Sequence, residues 1–430
     1  MATENPRVWF KSISLKNVRS FGTKQTINFT DKDGNAARWN VILGDNGTGK
    51  TTVLKGLFLA VNEKYNLSRY AFDFYSLLRK DYLVADINVE TDEFVKEEKK
   101  NRHALLTLFI SEEAEEEFHA DDNTYPTVYS ATTIEDERIN VLEPGEIKPT
   151  VFTYGASRRI GESGISEASE GSFITLFDDT ENLLNAEEWL IQADYVAYKN
   201  TDLRTRYDLV KQTILTVLRE EVLDLSIDAD TGVPKVYLKT HYGNVRLHEL
   251  SLGYKTLIAW MVDFAKGLLD RYPNSKTPLA EPAVCLVDEI DLHLHPKFQR
   301  TIIQFLTETF PNTQFIVTAH SPLIVQSAED ANIILLKREG NETVVADSID
   351  VHSWRVDQIL SSDLFGGISP RPPQAEDKMQ RRRALLLKDN RTEKEDKELE
   401  QLEEELGQLK ASESEEALKA LELIGKVLSK

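Results

Sequence analysis

The stretch Gly44-Asp45-Asn46-Gly47-Thr48-Gly49-Lys50-Thr51 constrains this chain more than any other, because it matches GxxxxGK[ST] at every fixed position. The apolar run Trp39-Asn40-Val41-Ile42-Leu43 precedes it, and TVLKGLFLAV, with apolar residues on a helical period, follows. Strand, glycine-rich loop and helix in that order make a phosphate cradle. The glycines let backbone N–H groups turn inward, and the helix N-terminus adds its positive end. Gly44, Asp45, Asn46, Gly47, Thr48, Gly49, Lys50, Thr51 and Thr52 are therefore expected to bind ATP. Lys50 would neutralise the β- and γ-phosphates, and the Thr51 hydroxyl would be a Mg²⁺ ligand.

A site of this kind needs a second half, an apolar strand that ends in acid. Ala283-Val284-Cys285-Leu286-Val287-Asp288-Glu289 supplies it. Asp288 is the expected second Mg²⁺ ligand, and Glu289 the base that orients and deprotonates water. Leu250-Ser251-Leu252-Gly253-Tyr254-Lys255 stands before the apolar run TLIAWMVDFAKGLL, so Ser251 sits at a helix N-terminus, either as a cap or as part of an anion site. His320, in Val317-Thr318-Ala319-His320-Ser321-Pro322, follows a strand at the spacing of a γ-phosphate contact; a structural histidine is the plainer alternative. In Tyr154-Gly155-Ala156-Ser157-Arg158-Arg159, Arg158 is a candidate contact to nucleotide or partner, with a surface role the alternative.

Residues 8–30 read as two short strands with a turn at Ser20-Phe21-Gly22, and the C-terminal third alternates strand and helix, the mark of a parallel sheet covered by helices. From about residue 60 to 147 the pattern is less regular. Leu77, Leu78 and Leu83 predict a helix and its exit, ALLTLFI a strand, and the charge runs EEKKNR and SEEAEEEF solvated helix faces or loops. Two helical patterns over 183–223 precede three strands. Beyond Pro370-Arg371-Pro372-Pro373 the composition shifts to Glu, Lys and Leu. There Thr392-x-x-Glu395 and Ser412-x-x-Glu415 read as capping boxes of a helical appendage containing an antiparallel hairpin.

With 51 Lys and Arg against 72 Asp and Glu, the formal charge is −21. That disfavours DNA, which is held largely through phosphate contacts, although Lys11, Lys16, Arg19 and Lys24 offer a small basic patch. One cysteine, Cys285, no apolar run of the roughly 18 residues a span needs, and no basic leader predict a cytoplasmic protein without a membrane partner.

Taken in order, these motifs resemble the ABC-type ATPase heads of the SMC and RecF group, whose N-terminal strand and turn ISLKNVRSFG also resembles. The resemblance implies an α/β P-loop NTPase with a mixed sheet, an N-terminal antiparallel lobe, a helical insertion and a C-terminal helical appendage. It divides the chain into a head, 1–365, and a helical partner or oligomerisation region, 366–430. Within the head it implies a first lobe (1–62), an insertion and helical lobe (63–245), and a segment with signature, Walker B and His switch (246–365). It also implies that Ser251, Gly253 and Lys255 cap the γ-phosphate of an opposing subunit, so that two ATPs are sandwiched in a homodimer or higher oligomer. Leu252 and Tyr254-Lys255 depart from the usual LSGGQ.

DEIDLHLHPKFQ with WRVDQIL and DLFG is similar to the compact ATPases of bacterial antiphage systems such as Septu, PARIS and some retron-associated modules, the Septu-type subunit first. In those families a separate nuclease or toxin effector accompanies the ATPase. The alternative is a RecF-like repair ATPase acting on DNA.

Overall fold

In a computed structural model, residues 5–61, 74–80, 82, 84–95, 98–109, 148–160, 174–229, 232–328, 330–346, 350, 351, 353–388 and 390–407 are described. The chain divides into two compact units, Met1–Ile359 and Leu360–Lys430. The break falls a few residues ahead of the 365/366 boundary that the resemblance implies.

The strands of the first unit are β1 (Arg7–Lys16), β2 (Gln25–Asn28), β3 (Trp39–Gly44), β4 (Val84–Val95), β5 (Glu98–Phe109), β6 (Val151–Tyr154), β7 (Arg159–Ile160) and β8 (Asn182–Leu183). They continue with β9 (Val222–Asp228), β10 (Lys235–Thr240), β11 (Gly243–Arg246), β12 (Ala283–Val287), β13 (Thr313–Thr318), β14 (Asn332–Glu339) and β15 (Glu342–Val345). Its longer helices are α1 (Lys50–Val61), α2 (Ala186–Lys199), α3 (Thr201–Val217), α4 (Leu252–Arg271) and α5 (Ile302–Thr309).

Six strands form the central sheet in the order β15-β14-β3-β13-β12-β6, parallel except for β15 at the edge. All residues of β12 and β13 are buried, as expected of parallel strands covered on both faces. Because β13 lies between β3 and β12, the carboxyl ends of all three strands emerge side by side. In open α/β sheets that edge is where ligands bind.

An antiparallel sheet, β2-β1-β4-β5, stands beside it. Half of this sheet comes from 84–109, within the stretch that sequence assigns to the insertion, and the run EEKKNR leads into strand β5 rather than a helix or loop. The physical reason is a period of two in β4: Ala85, Ile87 and Val89 are buried, and the residues between them are not. Leu77 closes a short 3-10 turn, Phe74–Leu77, where a helix is expected; residues 110–147, including SEEAEEEF, lie outside the described residues.

Helix α1 belongs to the same core as both sheets, Leu54, Leu57 and Phe58 clustering with Ile13, Leu15 and Ile87 of one and Ile42, Leu286 and Ile316 of the other. This explains why α1 is apolar nearly all round. A small sheet, β11-β10-β9, and helices α2 and α3 lie in the stretch before α4. Among the described residues no helix is long and apolar enough to cross a membrane.

The second unit contains α6 (Pro373–Leu386) and α7 (Glu393–Gly407). They run antiparallel, with Leu385, Leu399 and Leu402 between them and ion pairs Lys378–Glu405, Arg381–Glu398, Arg382–Glu403 and Lys388–Glu395 along their length. The Thr392 and Glu395 pair caps α7 reciprocally, as read from sequence. The second box, at Ser412, lies outside the described residues.

One buried amide ties the two sheets of the first unit together. Gln314 of β13, fully buried, accepts from the N–H of Phe10 at 2.7 Å and donates to the carbonyls of Phe10 and Ala37 at 2.8 and 2.9 Å. Gln314→Leu keeps the volume and removes three hydrogen bonds to backbone groups, of which only the Ala37 carbonyl keeps another donor, Asn40 Nδ2, so it should destabilise the chain by about 2–4 kcal/mol, read as a lower urea midpoint. An unchanged midpoint would mean that the tie is dispensable.

Candidate functional site

The P-loop conformation depends on glycine at two tight places. Gly44 has φ +147°, and a Cβ there would lie 2.5 Å from the carbonyl oxygen of Leu336. At Gly49, φ is +87° and a Cβ would meet the Phe21 ring and Ser20 Oγ at 2.7 Å. Inside the loop Thr48 Oγ1 donates to Asp45 O at 2.8 Å. Lys50 curls back over the loop, its ammonium donating to Gly44 O at 2.7 Å and Asp45 O at 3.0 Å. Burial pushes the pKa of this ammonium down, opposed chiefly by the charges of Asp288 and Glu289.

The acid strand comes to meet this loop. Thr51 Oγ1 donates to Asp288 Oδ2 at 2.7 Å, and Thr318 Oγ1 donates to Asp288 Oδ1 at 2.6 Å. The same Thr318 oxygen accepts the N–H of Glu289 at 2.7 Å. Glu289 itself is in the left-handed region at φ +50°, as is His293 at +63°. Such conformations in non-glycine residues cluster at functional sites. His320, just past β13, is placed by its backbone N–H, which donates to the carboxylate of Asp291 at 3.1 and 3.3 Å.

These groups open on one cleft of about 320 Å³, which Asn46, Gly47, Gly49, Lys50, Thr51 and Thr52 share with Asp288, Glu289 and His320. Arg19 and Ser20, from the turn after β1, complete its wall. Ser20 Oγ is buried beside Gly49 without a hydrogen-bond partner among the described residues, an unsatisfied group of the kind a phosphate oxygen would satisfy. The hydroxyl of Thr51 and the carboxylate of Asp288 are hard oxygen donors, which suits Mg²⁺.

Residues 39–326 match the family model described as "AAA domain, putative AbiEii toxin, Type IV TA system". The chain belongs to this AAA family. Among curated relatives, the retron Vc95 probable ATPase of Vibrio cholerae serotype O1 biovar El Tor is 27% identical over 390 residues, covering 77% of this chain and 74% of that one. The Septu protein PtuA of Bacillus mycoides (strain KBAB4) is 23% identical over 408 residues, covering 93% of this chain but 50% of the relative, so the chain spans half of that protein's length. Among solved structures, an SMC head bound to the C-winged helix domain of ScpA superposes with TM-score 0.45 at 14% identity, covering 80% of this chain and 98% of that chain. The recombination mediator RecF does so with TM-score 0.41 at 13% identity, covering 80% of this chain and all of RecF.

Two sets of expected site residues stand elsewhere in this AAA chain. Ser251, Gly253 and Lys255 do not line the cleft. Ser251 is exposed at the N-terminus of α4 and makes no side-chain cap bond, and Lys255 Nζ donates to His248 O at 3.3 Å. Gly253 is packed against its own chain: a Cβ there would lie 2.1 Å from the carbonyl oxygen of His293. Arg158 requires a correction. It is 2% exposed and donates to the backbone carbonyls of Asp288 and Glu289, so it neither lines the cleft nor reaches the surface. It stands in the loop four residues beyond the end of β6, and because β6 pairs with β12 that loop passes under the acid turn.

Thr318, Ser20 and Asp291 are the site residues that sequence reasoning passes over. Thr318 and Asp291 lie two residues before His320 and two after Glu289, close enough to be examined with those motifs; nothing local marks Ser20.

Gly253→Ala should force α4 and the 289–295 backbone apart, at a cost of about 1–3 kcal/mol. Amide exchange over 289–295 should then quicken while the P-loop amides keep their protection. Unaltered exchange in 289–295 would show that the contact carries no load.

Proposed function

We propose that this chain is an ATP hydrolase that closes into a dimer around ATP and controls a separate nuclease or toxin effector in antiphage defence. The observation that carries the reading is the convergence of Lys50, Thr51, Asp288, Glu289 and His320 on one cleft. The P-loop amides and Lys50 would hold the β- and γ-phosphates. Thr51 and Asp288 are the residues that would hold Mg²⁺, which when bound supplies neutralisation of phosphate charge. Glu289 takes a proton from water as the water oxygen bonds to the γ-phosphorus and the bond to the β–γ bridging oxygen breaks, leaving ADP and phosphate. His320, placed by Asp291, serves the γ-phosphate side.

A role for Ser251, Gly253 and Lys255 in an opposing copy is supported by their position outside their own cleft and by the exposed, uncapped Ser251 hydroxyl. A place in antiphage defence is supported by the names of the retron and Septu relatives, and control of an effector rests on the sequence resemblance to families in which the ATPase has a separate effector. The second unit, with its paired helices, is where we dock that partner.

Glu289→Gln should keep ATP bound and lower turnover by about 10²–10⁴-fold. With Mg·ATP it should elute as a dimer, measured by light scattering alongside single-turnover hydrolysis, while Lys50→Ala stays monomeric and binds no nucleotide. Wild-type turnover in Glu289→Gln would falsify the base assignment. Co-purification of the Gln variant from its native operon should bring down a stoichiometric nuclease or toxin; a bare dimer whose wild-type ATPase rises on added DNA would move the function to repair.

A further inference from the structure

Arg158 is a buried cation with no direct carboxylate partner among the described residues, and it needs a reason. Its Nη2 donates to the carbonyl of Asp288 at 3.3 Å and to that of Glu289, and its Nε is buried without a hydrogen-bond partner. Burying a guanidinium on backbone carbonyls alone is a costly way to stabilise a fold. Burial drags its pKa down to about 10, against the pull of Asp288, Asp291 and Glu289, so it stays charged at neutral pH.

The two carbonyls it holds are special in one respect: they flank the α-carbon of Glu289. The carbonyl of Asp288 belongs to the peptide plane that sets φ of Glu289, and the carbonyl of Glu289 to the plane that sets ψ. Thr318 Oγ1 fixes the first plane again through the Glu289 N–H. The torsion held in this way is the left-handed one, φ +50°, which an L residue does not keep without support. Arg158 is itself held in place. Tyr154 accepts the N–H of Asp288 at 2.8 Å, and Gly155 passes so close to Thr175 that a Cβ would lie 1.9 Å from its carbonyl oxygen.

We propose that Arg158 is a positioning residue for hydrolysis, setting the backbone of Glu289 by holding both carbonyls beside its α-carbon. The proposal rests on Glu289 being the base, which Glu289→Gln tests separately. Both bonds come from one nitrogen, Nη2, at the far end of the guanidinium, and a lysine ammonium on its differently shaped stem does not bring a donor to that same point.

The test uses the full chain with Mg·ATP and a fluorescent ATP analogue for affinity. Arg158→Gln should lower kcat by about 100-fold and leave nucleotide affinity within about threefold. Arg158→Lys, which keeps the buried charge and guards against a folding failure of the Gln variant, should lower kcat by about tenfold with affinity unchanged. The double variant Arg158→Gln/Glu289→Gln should be no slower than Glu289→Gln alone, because the two residues act through one group. The proposal is overturned by wild-type kcat in either folded Arg158 variant, by affinity falling in step with kcat, or by losses that multiply in the double variant. Wild-type turnover in Glu289→Gln alone would instead remove the base assignment on which it stands.

Discussion

Two hydroxyls, Thr51 Oγ1 and Thr318 Oγ1, donate one to each oxygen of the Asp288 carboxylate, at 2.7 and 2.6 Å. Asp288 is 5% exposed, so both bonds are needed to keep a buried charge satisfied. They join the first turn of α1, the end of β13 and the end of β12 at a single point. Every other feature of the cleft is placed relative to that point. Lys50 precedes one donor, His320 follows the other by two residues, and Glu289 follows the acceptor. Strand order makes the meeting geometrically cheap, since β13 separates β3 from β12 by one strand spacing on each side.

The same economy explains where polar groups are buried elsewhere. Gln314, four residues before Thr318 on β13, ties the antiparallel sheet to the central one. Strand β13 thus anchors the fold at one end and the acid at the other. Helix α1 shares an apolar core with both sheets, which keeps the loop at its N-terminus from rocking. A phosphate cradle on a helix free to tilt would lose the alignment of its N–H groups.

The P-loop, the acid strand and the alternation of the C-terminal third were legible because each is a local pattern: fixed glycine spacings, an apolar run with a polar end, a change of period. The period of two in 84–91 is equally local, but the EEKKNR run beside it reads as solvated and obscures a strand whose partner, β1, lies some eighty residues earlier in the chain. Arg158 was singled out, but its buried place under the acid turn could not be read. An arginine in a glycine- and serine-containing loop looks like a surface residue, and only the placement of β6 beside β12 turns it inward. The packing of Gly253 against the carbonyl of His293 in its own chain had no local signal in the sequence. Thr318 and Ser20 matter through partners that no spacing announces.

Gly253 leaves no side-chain atom between α4 and the carbonyl of His293, and backbone pressed on backbone has little give. A load on the first turn of α4 is therefore passed, four residues along, to the peptide planes around Glu289. In a pair of chains whose α4 helices face each other's phosphates, each subunit would register the arrival of its neighbour's nucleotide as a push on its own base. The two clefts would then behave as one balance with two pans, neither of which can be weighed alone.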